Sequence, residues 1–299
     1  MLHFLPPILL ASLSLLLYVI NTLFWCLPLY ALFLLKVLFP LPVFQRFCVR
    51  ALSAMADGWN GGALLIMRLT QKIEWDIQRE GELRRDGWYL LVCNHQSWVD
   101  IPVLLQVFHR RIPPLKFFAK KELLRLPLLG LAMRALDFPL VGRYPREVLE
   151  KHPELRGRDL ETIRRSCEHF RQAPAAIIIF PEGTRFTPEK HGLQQSPYRH
   201  LLRSKTGGLS ATMAALGDRI DSLLDTTIVY PDGRPSFRDF LSGRISRVVV
   251  RVRPRPIPPV LRTGDCHDDL RSREELQEWI GGMWEEKDAR IEGILRTLK

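Results

Sequence analysis

Two short apolar runs, each ending in a polar turn, most constrain what this chain can fold into. Trp88-Tyr89-Leu90-Leu91-Val92-Cys93 leads into Asn94-His95-Gln96-Ser97-Trp98-Val99-Asp100, and Ala175-Ala176-Ile177-Ile178-Ile179 leads into Phe180-Pro181-Glu182-Gly183-Thr184-Arg185. A run this short with no polar face suits a strand buried on both sides. The turn behind it then falls at the carboxyl end of the strand, where α/β sheets place their ligands. One end offers a histidine with an aspartate five residues on; the other offers Glu, Gly, Thr and Arg. A base, an orienting carboxylate and an anion clamp fit acyl transfer onto a phosphate-bearing alcohol.

The rest of the body reads as strands alternating with helices. Ile73, Trp75 and Ile77 alternate with Glu74, Asp76 and Gln78, and Val248, Val250 and Val252 alternate with arginines, so both segments read as strands with one wet face. Leu115–Ala119, Phe138–Val141 and Thr226–Tyr230 read as further strands. Helical spacing marks residues 98–109, the stretch ending near Gly130, 158–171 and Gly207–Leu216. A Pro-rich linker at 254–259 precedes a final amphipathic helix carrying Leu276, Trp279, Met283, Ile291 and Leu295. The expected fold is α/β, a mixed, largely parallel sheet flanked by helices.

The N-terminus differs in kind. No charged side chain precedes Lys36, and 35 uncharged residues exceed the ~20 that cross a bilayer as one helix. Asn21, Thr22 and Pro28 interrupt the run, which leaves one long broken helix or a tight helical hairpin. The stretch is too long, and lacks the basic start, for a cleaved signal peptide. Phe44, Phe47, Cys48, Ala51, Leu52, Met55 and Trp59 then share one helical face with Arg46 and Arg50 off it. Such a helix lies in a membrane interface or packs on the protein core. The expected organisation is therefore an anchor over 1–40, membrane-spanning or hairpin, an amphipathic interfacial helix over 41–70, and a catalytic body over 71–299. Lys36, Arg46 and Arg50 follow the apolar run with no acid before Asp57, which orients the body toward the cytoplasm.

Composition narrows the partners. Forty-three basic against 32 acidic residues give +11, a balance that favours anionic lipid, phosphorylated substrate or nucleic acid. The arginines at 247–253 alternate with valines as the wet face of a strand, without interleaved aromatics, so nucleic acid is not expected. Five scattered cysteines without CxxC spacing argue against a disulfide framework or a zinc site, and no HxxxH pairing supports any metal. Cys93 lies two residues before His95, but a cysteine inside a buried apolar run is ordinarily an inert small hydrophobe.

Each motif has a plainer explanation. Ser97-x-x-Asp100 is also a capping box, and the 182–185 turn could be a tight turn with a surface ion pair. If a helix begins near Ser97, Asp100 can instead reach back to the His95 ring, fix its tautomer and leave the other nitrogen free as a base.

Taken together, the two clusters resemble the lysophospholipid acyltransferase family, the PlsC-like 1-acylglycerol-3-phosphate acyltransferases. That family is known by an N-H-x4-D block and a P-E-G-T-R block, which stand here at 94–100 and 181–185. Phe118-Ala119-Lys120-Lys121-Glu122-Leu123, Phe138-Pro139-Leu140-Val141-Gly142-Arg143 and Lys205-Thr206-Gly207-Gly208 are similar to its weaker blocks. Thr226-Thr227-Ile228-Val229-Tyr230-Pro231 departs from the common fourth block and is similar to the bacterial YihG-like branch, as is the insert from Tyr144 to Arg165.

The resemblance implies a glycerolphosphate acyltransferase-like fold at a bacterial inner membrane, the body facing the cytoplasm. It implies His95 as base and Asp100 as its orienting partner. Arg185, with Arg143 and Lys120, would bind the acceptor phosphate, and Glu182, Gly183 and Thr184 would shape the acceptor pocket. No cofactor is implied. Acyl-CoA or acyl-ACP serves as co-substrate, with acyl carrier protein and membrane lipids as partners. The favoured acceptor is lysophosphatidate, giving phosphatidate. Lysocardiolipin or another lysophospholipid is an alternative acceptor, and a membrane-anchored protein that holds anionic lipid without turnover is an alternative of another class.

Overall fold

In the computed structural model, which describes residues 2, 4–126, 128–141, 158–262 and 270–298, the uncharged N-terminus forms a single continuous helix. Helix α1 runs Pro7–Leu38 with Pro28 inside it, turns through residues 39–41, and meets α2, Pro42–Thr70. The hairpin thus lies between α1 and α2 rather than at Pro28. Asn21, one of the expected interruptions, instead donates to the Trp59 carbonyl on α2 at 3.0 Å. Thr22 donates back to the Tyr18 carbonyl one turn earlier, which keeps a hydroxyl satisfied inside a helix.

The body follows in chain order: β1 (Glu74–Arg79), β2 (Tyr89–Cys93), α3 (Asp100–Phe108), β3 (Leu115–Phe117), the two-residue β4 (Ala119–Lys120), α4 (Leu129–Ala135) and β5 (Leu140–Val141). Then come α5 (Arg158–Glu168), β6 (Ala176–Ile179), α6 (Pro188–Gln194), α7 (Gly207–Leu216), β7 (Ser222–Val229), α8 (Phe237–Leu241), β8 (Arg247–Arg255) and α9 (Leu270–Thr297). Six strands form one sheet in the order β1-β8-β7-β2-β6-β3, while β4 and β5 pair separately. Every pairing in the large sheet is parallel except β7 with β8.

Strand alternation sorts the core. Leu90, Val92, Ile177, Ile179 and Leu223 point to one face and meet Leu209 and Met213 of α7 and Leu276 and Trp284 of α9. Tyr89, Leu91, Cys93, Ile178 and Leu224 point to the other, toward Met67 of α2, Val103 and Leu104 of α3 and Phe240 of α8. Each such side chain removed from water contributes on the order of 1.5–3 kcal/mol, which is why strands this short hold.

Two strands extend past their sequence signals. β7 begins at Ser222 rather than Thr226; Asp225 interrupts the apolar pattern that would mark its first half in the sequence. Asp225 is wholly buried, and Lys287 and Arg290 of α9 donate to its carboxylate. β8 runs on through Pro254, part of the expected linker. Its neighbour β1 ends opposite Val252, so beyond that point β8 is an edge, and an edge tolerates a missing N–H.

What positions the site is the register of β2 on β6. Val92 stands opposite Ile179 in parallel, so the two strands end side by side and their polar turns emerge together.

Candidate active site

The turn after β2 is fixed before its chemistry begins. Asn94 is buried, and its side-chain amide donates to the Ile228 carbonyl and accepts from the Ile228 N–H, both at 2.9 Å. That pairing stitches the strand end to β7 and aims the next residue outward. His95 donates its backbone N–H to Glu182 Oε1 at 2.7 Å, and its carbonyl accepts from the Phe186 N–H at 2.8 Å. Its ring stacks on Phe180, centroids 4.2 Å apart. The main chain and ring of His95 are therefore held by the second turn, the one after β6.

Asp100, at the first turn of α3, is fully buried. Its Oδ2 lies 2.7 Å from His95 Nδ1 and accepts the N–H groups of Gln96 and Ser97 at 2.7 and 3.0 Å. Its Oδ1 accepts the Tyr230 hydroxyl at 2.8 Å. A carboxylate can only accept, so Nδ1 carries the ring proton and Nε2 presents its lone pair. Nε2 has no hydrogen-bond partner among the described residues, and the His95 side chain keeps 18% exposure. A half-buried, oriented imidazole with one open nitrogen can act as a general base.

The capping-box alternative is only half present. The Asp100 carboxylate does accept from the Ser97 N–H, but the Ser97 hydroxyl donates to the Pro235 carbonyl and accepts from Val99 rather than Asp100. Helix geometry alone accounts for neither the His95 contact nor the Tyr230 contact.

Glu182 is wholly buried, with Oε1 on the His95 amide and Oε2 on the Leu202 amide at 3.0 Å. The sequence places it among the groups that shape the acceptor pocket, and in the structure its carboxylate faces two main-chain amides. With no exposed surface it shapes the site from behind, through the backbone it holds. Burial pushes its carboxyl up to about 7, against the two amides and the Lys287 charge, which favour the ionised form. Gly183 takes φ +67°, a left-handed conformation that suits glycine, and closes the turn by donating to the Phe180 carbonyl at 2.9 Å.

Thr184 and Arg185 are partly exposed. The Arg185 guanidinium lies 4.6 Å above the ring of Trp98, which belongs to the first turn. No carboxylate pairs with it among the described residues, so its donors stay open to an anion. Lys190, from α6, donates to the Thr184 hydroxyl at 2.7 Å and to the Arg185 carbonyl at 3.2 Å. Arg234, from the loop after β7, covers the Phe186 ring at 4.6 Å.

The structure thus brings His95, Asp100, Glu182, Gly183, Thr184 and Arg185 together. Arg143 lies outside the described residues, and of Lys120 only the backbone is described, in β4 opposite Val141. Cys93 is buried and its thiol is pushed well above the ordinary range by that burial, which fits an inert packing role. Among the described residues no group of His, Cys, Asp and Glu is placed to hold a metal ion.

Sequence reasoning missed Tyr230 and Lys287. Tyr230 reads as the end of a strand, and nothing local reveals a partner 130 residues away. Lys287 reads as one more charge on an amphipathic helix, yet it is fully buried, donating to Asp225 and the Thr226 carbonyl and approaching the Val92 carbonyl at 3.4 Å.

The family model described as Acyltransferase matches residues 75–231, more than half the chain and both turns. The chain belongs to the Acyltransferase family. It is similar to lysocardiolipin acyltransferase 1 of Gallus gallus, 26% identical over 220 residues, 68% of this chain and 52% of that protein. It is also similar to 2-acyl-1-lysophosphatidylinositol acyltransferase of Saccharomyces cerevisiae, 24% identical over 247 residues, 69% of this chain and 61% of that protein. The human 1-acyl-sn-glycerol-3-phosphate acyltransferase delta is 25% identical over 221 residues, 70% of this chain and 53% of that protein. The chain therefore spans about half to three fifths of the length of these curated relatives. In fold it resembles the crystal structure of the 1-acyl-sn-glycerophosphate (LPA) acyltransferase PlsC from Thermotoga maritima. The TM-score is 0.52 at 17% identity, covering 92% of this chain and 95% of that one.

Proposed function

We propose that this acyltransferase-family chain moves a fatty acyl group from a thioester donor, acyl-CoA or acyl-ACP, to the free hydroxyl of a lysophospholipid at a membrane. The observation that carries the reading is the His95–Asp100 contact at 2.7 Å, with Nε2 open and Arg185 of the neighbouring turn without a carboxylate partner among the described residues. Nε2 takes the hydroxyl proton as that oxygen attacks the thioester carbonyl. The C–O bond forms, the C–S bond breaks, and the imidazolium returns the proton to the departing sulfur. Asp100 stabilises the imidazolium meanwhile, and no covalent acyl-enzyme is required. Arg185 holds the acceptor phosphate with two parallel N–H groups, so that the hydroxyl is presented to the base.

Lysophosphatidate is the acceptor this reading favours, because a terminal phosphate monoester best occupies an open guanidinium fork. The names of two relatives support a second reading, a lysolipid whose phosphate is esterified, such as lysocardiolipin or lysophosphatidylinositol, while that of the human relative supports the first. Purified protein given labelled acyl-CoA or acyl-ACP with a panel of lysolipids tests both. Transfer to the monoester over the diesters supports the first, the reverse order supports the second, and no transfer to any acceptor refutes the enzyme reading.

The membrane part of the proposal rests on α1, whose 32 residues include a stretch of mean hydropathy 2.0 with only 11% of it buried. One stripe of α1 is docked on the body along its whole length. Leu10 and Ser14 are buried, Tyr18 meets Phe240 with ring centroids 6.0 Å apart, Cys26 and Leu29 are buried, and Lys36 pairs with Asp137 at 3.6 Å. The other face exposes Leu9, Leu16, Ile20, Phe24, Leu27 and Leu34. Crossing a bilayer upright would strip that stripe from about 48 Å of helix. Lying lengthwise in one leaflet keeps the stripe and still buries the apolar face. An inner membrane with the body on the cytoplasmic side completes the proposal, since Arg46 and Arg50 beside the buried face favour an anionic leaflet surface.

A further inference from the structure

We propose that Tyr230 is a positioning residue for the base: its hydroxyl holds the outer oxygen of Asp100 so that the other oxygen stays aimed at His95. The inference rests on the acyl-transfer reading for its kinetic consequences, though not for its geometry.

The two oxygens of Asp100 are unequally served. Oδ2 faces the His95 ring and the Gln96 and Ser97 amides, whereas among the described residues Oδ1 has the Tyr230 hydroxyl alone, at 2.8 Å. Asp100 is fully buried and Tyr230 nearly so, which leaves no bulk water to replace a lost donor. Tyr230 follows the last residue of β7, and β7 is held beside β2 by the parallel pairing that ends at Cys93 and Thr226. The phenol is therefore delivered by the rigid sheet, independently of the turn that carries His95 and of the helix that carries Asp100. Burial and then the Asp100 charge push the phenol well above the ordinary tyrosine range, so it remains a donor at every working pH.

Two consequences follow from that one bond. It stops the carboxylate from rotating, and it draws negative charge toward Oδ1, as a hydrogen bond to an ionised acceptor does. Without it the carboxylate is looser, and more of its charge falls on Oδ2 against the ring. The other charged groups near the pair are Glu182, behind the His95 amide, and Lys287 with Asp225, whose fields reach Cys93 from the far side of the sheet. Cys93 stays a neutral thiol, and Tyr230→Phe alters none of these groups.

The test is Tyr230→Phe, which keeps the ring, with 3-fluorotyrosine in place of Tyr230 as a variant that keeps the fold and strengthens the donor. In full-length protein in detergent, Tyr230→Phe should lower kcat on the order of tenfold with both KM values unchanged. The acidic limb of its kcat/KM profile should move to higher pH, and the fluorinated protein should move it to lower pH. In an Asp100→Asn background Tyr230→Phe should cost little further, since the two act through one interaction. The Nδ1 proton of His95, followed by NMR without turnover, should exchange faster with solvent in Tyr230→Phe. A loss of kcat with an unmoved acidic limb in both variants, or full additivity with Asp100→Asn, would show Tyr230 to be structural only and overturn the proposal. If wild type transfers no acyl group while the Nδ1 proton responds as expected, the enzyme reading falls and the positioning contact stands. An unchanged Nδ1 proton overturns the contact itself.

Discussion

Replacing Glu182 by glutamine should remove a loss of stability that this protein suffers as pH rises through neutrality, while impairing its activity. The carboxyl is wholly buried and held at about 7 rather than the ordinary 4.5, with desolvation as the chief cause. A raised carboxyl means that the native state keeps its proton over a range in which the unfolded chain has already released it. The stability this group contributes is therefore full below about 4.5, is lost as pH rises through about 7, and is flat above. At ~1.36 kcal/mol per pH unit, the gap amounts to about 3 kcal/mol. Glutamine is nearly isosteric with the protonated acid and does not titrate. At pH 5 Glu182→Gln should be the less stable, by the cost of the amide it leaves unpaired; between pH 5 and pH 8 the difference should shift by about 3 kcal/mol in favour of Glu182→Gln, roughly 5 °C in Tm for a chain of this size.

Activity should move the other way. Two backbone N–H groups, of His95 and Leu202, point at the two carboxylate oxygens. Glutamine offers one acceptor and one NH2, so one amide faces a donor and is left unpaired in the interior, at a cost of about 1–3 kcal/mol to that arrangement. When the His95 amide is the one displaced, the base shifts against its substrate and kcat falls. Thermal unfolding of both proteins across pH 5–8 isolates the effect, because every other titrating group is common to both and cancels in the difference. A stability difference that stays constant from pH 5 to pH 8 would refute the reasoning.

Other expectations are simpler. His95→Ala should lower acyl transfer by about 10²–10⁴ with an unchanged circular dichroism spectrum, while Asp100→Asn, which still hydrogen-bonds but cannot stabilise an imidazolium, should lose most of the rate; wild-type rates in either would remove the base assignment. Arg185→Ala should raise the acceptor KM at least tenfold and leave the donor KM nearly unchanged, with Arg185→Lys intermediate because it keeps the charge but loses the fork; equal effects on both substrates would make Arg185 structural. Lys287→Met should cost about 3 kcal/mol in urea unfolding, since it strands the buried Asp225 carboxylate with only its arginines; a change under 1 kcal/mol would mean that the pair is not stabilising. A carbonate or high-salt wash should leave the protein in the membrane pellet, because screening weakens charge attraction and not hydrocarbon burial.

The fold was largely legible because its signals are local. β2 and β6 show as short runs with no polar face, and β1 as strict alternation, so the layered α/β class follows from period and length. The errors fell where a distant partner changes what a residue means. Asp225 hid the first half of β7, because a carboxylate is expected in water until an ammonium 62 residues away makes it a core residue. Pro254 reads as linker because proline ordinarily breaks a strand, and only the ending of β1 opposite Val252 shows why it does not. Pro28 reads as a break in the first helix, yet α1 runs through it, held to α2 by Asn21 and by the packing of Cys26 with Leu52 and Ala56.

The site divides along the same line. His95, Asp100 and the 182–185 turn were legible because parallel strand ends leave little else for such residues to do. Their division of labour was not. Glu182 and Asp100 are both carboxylates beside the same histidine, and sequence spacing alone puts either within reach of substrate. Burial separates them by what each one holds. Asp100 accepts from a ring nitrogen and so governs a proton. Glu182 accepts from two main-chain amides and so governs where that ring stands. The third partner, Tyr230, comes from a strand whose position depends on β2 and β8 together, a dependence that no local pattern encodes. The residues proposed to touch substrate thus fall within short motifs, whereas those that aim them are spread along the chain, because aiming a side chain requires contacts from several elements at once.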